Sequence, residues 1–248
     1  MPLSLDHIVI AVGDLAAATR DYQALGFTVV PGGEHAGGVT HNALVAFDDG
    51  SYLELIAFRQ ADPDSRWWRV LDGAGEGFVD YALLPGDVGA EVARANADGL
   101  DLAGPFDGGR ARPDGAVLRW QTARSPRPDL PFLCGDLTAR HLRVPEGEIR
   151  RHSNGVLGVA EVTVAVEDRT ASARRYAALL GVAAKEGNAF ALGDATVRLA
   201  ARGSGADVDR ALDARGEGPF AVRFRSAAPP SRLDPGSSHG ARLVVGGA

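Results

Sequence analysis

Leu5-Asp6-His7-Ile8-Val9-Ile10-Ala11-Val12 runs through Asp14 into a stretch that carries Tyr22 and closes at Gly26. It returns as Val159-Ala160-Glu161-Val162-Thr163-Val164-Ala165-Val166, which runs through Asp168 into a stretch that carries Tyr176 and closes at Gly181. Asp14 to Asp168 is 154 residues, and the Asp-to-Tyr spacing is the same in both copies. A strand-helix unit that repeats implies a duplicated architecture. Strict alternation puts Ile8, Ile10 and Val12 on one face of the first strand and His7, Val9 and Ala11 on the other. At the first inward polar position one copy has His7 and the other Glu161.

Outward from that stretch, Asp14 is placed to cap a helix over 15–25 that Gly26 ends. Strands are expected over 27–30, 42–47 and 52–58, the last two joined by an Asp48-Asp49-Gly50 turn. Pro31-Gly32-Gly33 and Gly37-Gly38 bracket an expected flexible loop that holds His35. The unit therefore reads β-α-β-β-β. Asp62 to Leu71, with adjacent Trp67 and Trp68, reads as a short helical connector. A second unit follows, with a strand over 78–84, a helix over 87–97 and strands over 117–122 and 130–134. A third spans 159–200. The fourth is degraded: a helix over 206–214 and a strand over 220–225 precede a Pro/Ser/Gly-rich stretch, Ala227 to His239, and a last strand over 241–245. The expected fold class is α+β, with tandem βαβββ modules paired into open barrels and a degenerate fourth module. The expected domains are 1–140 and 141–248, divided in the charged segment from Arg140 to Ser153.

The 248 residues carry a formal net charge of −6, which gives no attraction to nucleic acid or anionic lipid. Lys185 is the sole lysine, and the arginines are scattered rather than gathered into a patch. Cys134 is the sole cysteine, so no intramolecular disulfide can form and a cytoplasmic location is expected. No apolar run approaches the ~20 residues that span a bilayer. The expected partner is a small molecule, with neither nucleic acid nor membrane, and a homodimer is allowed.

The chain resembles the vicinal oxygen chelate superfamily, the glyoxalase and extradiol dioxygenase group, and within it the bacterial glyoxalase-like domain proteins. The residues that carry the resemblance are Leu5-Asp6-His7-Ile8-Val9-Ile10 with Asp14-Leu15, Gly32-Gly33-Glu34-His35, Thr40-His41-Asn42 and Asp49-Gly50-Ser51-Tyr52-Leu53-Glu54-Leu55. Arg112-Pro113-Asp114-Gly115, Leu118-Arg119-Trp120, Leu130-Pro131-Phe132-Leu133 and His152-Ser153-Asn154-Gly155-Val156 complete the set. The resemblance implies that paired modules curl around a divalent metal, each offering an inward residue on its first strand and a carboxylate on its last. In the first module these are His7 and Glu54, and alternation independently turns both toward one hollow. Asp80, at the matched position of the second module, is the expected third ligand. An imidazole with carboxylates suits Fe, Mn, Ni, Co or Zn, which would polarise neighbouring substrate oxygens. The matched positions give no two-His-one-carboxylate set, which counts against an extradiol dioxygenase.

His41 is the expected acid or base, since imidazole titrates near neutral pH. Asn42, Arg112 and Trp120 are expected to bind substrate, Arg112 through a substrate carboxylate. His35 reads as the cap of a loop, and Arg112-Pro113-Asp114-Gly115 is first of all a turn. Two functions follow. One is a metal-assisted small-molecule lyase, isomerase or oxygenase with its site inside the N-terminal barrel. The other is a non-catalytic protein of the same fold that sequesters a drug or natural product.

Overall fold

The computed structural model describes residues 2–112, 114–182, 188–226 and 229–246. Pro113 and the first two residues of the Ala227–His239 stretch, both singled out above, lie outside them. The first module comprises β1 (Ser4–Val12), α1 (Leu15–Ala24), β2 (Val30–His35), β3 (Thr40–Ala46) and β4 (Tyr52–Phe58). A connecting helix α2 (Arg66–Ala74) leads to β5 (Gly77–Leu84), α3 (Val88–Ala97), β6 (Ala103–Ala111), β7 (Val117–Arg124) and β8 (Phe132–Asp136). The short α4 (Arg140–Arg143) and one turn of 3-10 helix precede β9 (Val156–Val166), α5 (Arg169–Leu180), β10 (Ala189–Leu192) and β11 (Ala195–Ala201). The chain ends with α6 (Ala206–Arg215), β12 (Gly218–Ser226), β13 (Ser231–Arg232) and β14 (Leu243–Val245).

Capping follows the sequence repeat. Asp14 accepts from the backbone N–H groups of Ala16 and Ala17, and Asp168 accepts from those of Thr170 and Ala171. Pairing repeats as well. β1 runs parallel to β4 and antiparallel to β5, while β9 runs parallel to β11 and antiparallel to β12. The degenerate fourth module is visible as a two-residue β13 at the sheet edge, with no helix between β12 and β14 among the described residues.

The first pair of modules departs from the expected open barrel. Its eight strands close in the order β1-β4-β3-β2-β6-β7-β8-β5. The closing seam is β2 against β6, with Glu34 opposite Ala111 and His35 opposite Arg110. Glycine makes the seam possible. Gly33 has φ +135°, and a Cβ there would lie 2.2 Å from the carbonyl oxygen of Ala111. Gly32 and Gly33, read as loop, are thus part of a strand, while Gly37 and Gly38 lie in the turn that follows it. The C-terminal half forms a separate six-stranded open sheet, β10-β11-β9-β12-β14-β13.

The alternation of β1 divides the molecule. Ile8, Ile10 and Val12 join Tyr22, Tyr176, Phe190 and Phe224 in the main core, which runs between the barrel and the second sheet. Each such buried side chain contributes ~1.5–3 kcal/mol. Val9 and Ala11 face the barrel interior with Ile56, Val79, Ala82, Phe132 and Cys134. No helix is long and apolar enough to cross a membrane among the described residues.

Candidate active site inside the barrel

The inward side chains of the barrel line a cavity of about 840 Å³. Its volume lies within the range of small-molecule sites. Polar groups occupy one wall: His7 from β1, His35 from β2, Asn42 from β3, Glu54 from β4 and Arg110 from β6. Trp67, Trp120, Phe132 and Ile56 supply apolar surface to the same cavity.

Glu54 is the centre of the polar wall. His7 Nε2 lies 3.4 Å from its Oε2, and His35 Nε2 lies 3.5 Å from its Oε1. Asn42 Nδ2 donates to Oε1 at 2.5 Å, and Arg110 Nη1 donates to Asn42 Oδ1 at 3.0 Å. Behind His7, Nδ1 is 2.7 Å from Asp6 Oδ2. Adjacent strand residues normally point to opposite faces. The register shift between Leu5 and His7 breaks that rule and lets Asp6 reach its neighbour's ring. Tyr52 stacks on the His7 ring at 4.6 Å between centroids, so the imidazole is held on its face as well as its edge. His35 is fixed by a 2.9 Å contact between Nδ1 and Thr40 Oγ1.

The two imidazoles are pushed in opposite directions. Burial works against a charged His7, but its hydrogen bonds to Asp6 and Glu54 outweigh burial and raise its pKa above the usual value. For His35 burial wins, and its pKa falls. Burial would raise Glu54, yet His7, His35 and Asn42 bring it down to about 2. Burial would raise Asp6 too, and Arg143, His7 and Arg140 hold it well below the ordinary carboxylate range. The wall therefore favours the proton on His7, holds Glu54 as a carboxylate and disfavours a charge on His35.

Members of the superfamily often bind a divalent metal, and the expected donors were His7, Glu54 and Asp80. His7 and Glu54 do meet. Asp80 lines the cavity but is taken up elsewhere, with Arg66 Nη2 at 2.5 Å and Trp67 Nε1 at 2.9 Å on its Oδ2. His35 stands on the other oxygen of the same Glu54 carboxylate. Among the described residues no three His, Cys, Asp or Glu side chains form a metal-holding group. The arrangement does not fit the three-ligand centre.

Asn42 and Trp120 reach the cavity, whereas His41 and Arg112 are not among the residues that line it. Strand alternation sends Thr40 and Asn42 inward and leaves His41 between them facing out, where Arg59 and Glu34 act on it. Arg112 is tied to Asp114 at 2.8 Å and to the carbonyl of Leu142 at 3.2 Å. Arg110, two positions earlier on β6, does line the cavity, as do Arg66, Arg69, Arg124, Arg127 and Arg143 among the described residues. His35 was legible as a residue between glycines but not as a wall residue. Asp6 and Arg143 gave no local signal, because the contact that joins them spans 137 positions.

The glyoxalase-like domain model matches residues 5–180. No curated protein matches the chain. Among solved structures, a hypothetical protein from Staphylococcus aureus aligns at TM-score 0.75 and 15% identity, over 98% of this chain and 99% of that one. A triple variant of 4-hydroxymandelate synthase from Streptomyces coelicolor aligns at TM-score 0.63 and 15% identity, over 90% of this chain and 71% of that one. A xylose isomerase-like TIM barrel/4-hydroxyphenylpyruvate dioxygenase fusion protein aligns at TM-score 0.55 and 17% identity, over 91% of this chain and 37% of that one. At such identities these likenesses speak for the fold. The family match, which covers well over half of the sequence, places this chain in the glyoxalase-like domain family of the vicinal oxygen chelate superfamily.

Proposed function

We propose that the chain is a small-molecule enzyme that moves a proton on an oxygenated substrate inside the N-terminal barrel, a reaction of the isomerase or lyase type. One observation carries the reading: two imidazoles on one buried carboxylate have their proton affinities driven apart. Groups separated in this way divide into acid and base. His35 is the proton acceptor in the tautomer whose Nδ1–H faces Thr40 Oγ1, which leaves the lone pair on Nε2, at the cavity beside Glu54. His7, whose protonated form Asp6 and Glu54 favour, is the proton donor to an oxygen that gains negative charge. Glu54, with a pKa of about 2, is too weak a base for this task and serves to hold both rings. In this reading residues 1–140, joined by Arg143, hold the site, and the rest of 141–248 buttresses the outer face of β1.

The test needs no prior substrate. Small 2-oxo and 2-hydroxy compounds are incubated with the protein in deuterium oxide, and loss of the proton next to the carbonyl or carbinol carbon is followed by NMR. Exchange in the wild type should fall by about 10²–10⁴ in His35→Gln. Absence of exchange across the panel, or an undiminished rate in His35→Gln, refutes the proposal.

A second reading, a non-catalytic binder, is favoured by the aromatic share of the wall. Trp67 packs against Phe132 at 5.6 Å and His35 meets Trp120 edge-on at 6.0 Å, which gives flat ligands surfaces to stack on. In that case aromatic ligands stabilise the wild type and His35→Gln alike, with no exchange in either.

A further inference from the structure

We infer that the molecule held in the barrel is a monocarboxylate with an apolar or aromatic remainder and that Arg110 is its anchor. This rests on the reading of the barrel as a small-molecule site. Among the described residues two arginines are buried, Arg110 and Arg143. Arg143 meets Asp6 at 2.7 Å and Asp136 at 2.5 Å. Arg110, 5% exposed, has no carboxylate partner among the described residues. Its Nη1 donates to Asn42 Oδ1 at 3.0 Å and its Nη2 to the carbonyl of Arg143 at 3.2 Å, while Nε–H is left without an acceptor.

A guanidinium cannot shed its proton under these conditions. A buried charge with no counter-ion, and a buried donor with no acceptor, are both costly. A fold retains such a group where an anion arrives from outside. Arg110 lines the cavity, so the anion arrives there.

The surroundings narrow the class. The planar guanidinium fork matches a carboxylate in two parallel hydrogen bonds. Glu54 stands one link away, through Asn42, so a phosphate dianion would meet a fixed negative charge that a single carboxylate opposes less. The space is built for the guanidinium: a Cβ on Gly32 would lie 2.0 Å from Asn42 Oδ1 and 2.5 Å from Arg110 Nη1. Trp120 and the half-exposed Phe106 line the same cavity and offer the remainder of the ligand an apolar bed. The chain Arg110–Asn42–Glu54 also ties the anchor to the carboxylate between His7 and His35, so an acid held there has its reactive end beside both rings.

Calorimetric titration of the full chain with 3-phenylpropanoate, its neutral isostere 3-phenylpropanamide and inorganic phosphate tests the inference. The acid is expected to bind at least tenfold more tightly than the amide. Arg110→Met should erase that preference by weakening the acid alone, and Arg110→Lys, which keeps the charge and loses the fork, should retain part of it. Equal binding of acid and amide to the wild type overturns the inference without requiring any variant to fold. So does tighter binding of phosphate than of the acid, binding of none of the three probes, or an equal loss of acid and amide in Arg110→Met. The outcome is separable from that of the exchange experiment. A preference for the acid without His35-dependent exchange supports the anchor and sinks the enzyme reading, and exchange without that preference does the reverse.

Discussion

Asp6 and Arg143 close a bidentate ion pair across 137 positions of sequence, with Arg143 Nη1 2.7 Å from Asp6 Oδ2 and Nη2 3.1 Å from Oδ1. Both side chains are buried, and the same Asp6 oxygen that receives Nη1 also faces His7 Nδ1 at 2.7 Å. A segment that follows the last barrel strand therefore sets the orientation of a ring on the first. Removing Arg143 takes away the bidentate partner of Asp6 and leaves it Arg140 and His7, so the cost sits at the low end for a broken buried pair, ~3 kcal/mol. Arg143→Met should lower the unfolding free energy in urea by about that amount, whereas Arg151→Met, in the exposed pair with Glu148, should change it by less than ~1 kcal/mol.

The joint contribution of His7, Asp6 and Glu54 to stability should have a plateau in mildly acidic solution and decline on both sides, while His35, whose pKa falls, works the other way below pH 6.5. His7 has a folded pKa above its ordinary 6.5, so its contribution is complete below 6.5 and is lost as pH rises through the raised value. Asp6 and Glu54 are displaced the other way. Their contributions are present above their ordinary values of 3.8 and 4.5 and disappear as pH falls through the folded values, about 2 for Glu54. Urea midpoints measured from about pH 3 to 9 should trace this shape. Asp6→Asn should flatten the alkaline limb, because it removes the first of the two groups that raise His7. An alkaline limb of unchanged slope in that variant would show that Asp6 does not hold the imidazolium.

Gly33 decides whether the barrel closes. With φ +135° and the Ala111 carbonyl 2.2 Å from where a Cβ would sit, Gly33→Ala is strained in its backbone and blocked in space. Backbone strain of this kind costs ~1–3 kcal/mol. The β2–β6 pairing should open, with faster amide exchange at His35 and Ala36, whose N–H bonds to the Gly109 carbonyl at 3.0 Å. Gly37→Ala is the control: its φ is +89° but no atom lies within 4 Å of its Cβ, so it bears the strain without the clash and should leave the seam paired.

These residues also show where sequence reading stops. Alternation in β1 and β4 was sufficient to bring His7 and Glu54 to one hollow, because burial on one side and an amphipathic interior on the other impose a period of two. β6 carries Pro105, Gly108 and Gly109 among polar residues, has no such period, and was not expected as a strand. Without β6 there was no seam, no wall role for His35 and no inward Arg110, and attention fell on Arg112 in the following turn. Asp80 is a different case. Arg66 and Trp67 claim its carboxylate from α2, and which long side chain reaches which carboxylate depends on three-dimensional proximity rather than local pattern.

Arg215 links the second half of the chain to the site. At the end of α6, its Nη1 donates to the carbonyls of Ala74, Gly75 and Glu76 at 3.2, 3.0 and 3.1 Å, and its Nη2 donates to that of Phe78 at 3.0 Å. These carbonyls lie where α2 ends and β5 begins, where helix geometry leaves acceptors unsatisfied and favours a positive charge. α2 carries Trp67, which lines the cavity and holds Asp80. Arg215→Ala should destabilise the chain by ~1.5–3 kcal/mol, the range for hydrogen bonds to a charged group. It should also speed amide exchange across α2 while leaving α1 protected. Binding of 3-phenylpropanoate should weaken in parallel, because one wall of its pocket has lost its support. Arg215→Lys should rescue this only partly, since a single ammonium has three donors where the guanidinium serves four carbonyls. If α2 exchanges at the wild-type rate in Arg215→Ala, the C-terminal half does not brace the pocket through this contact.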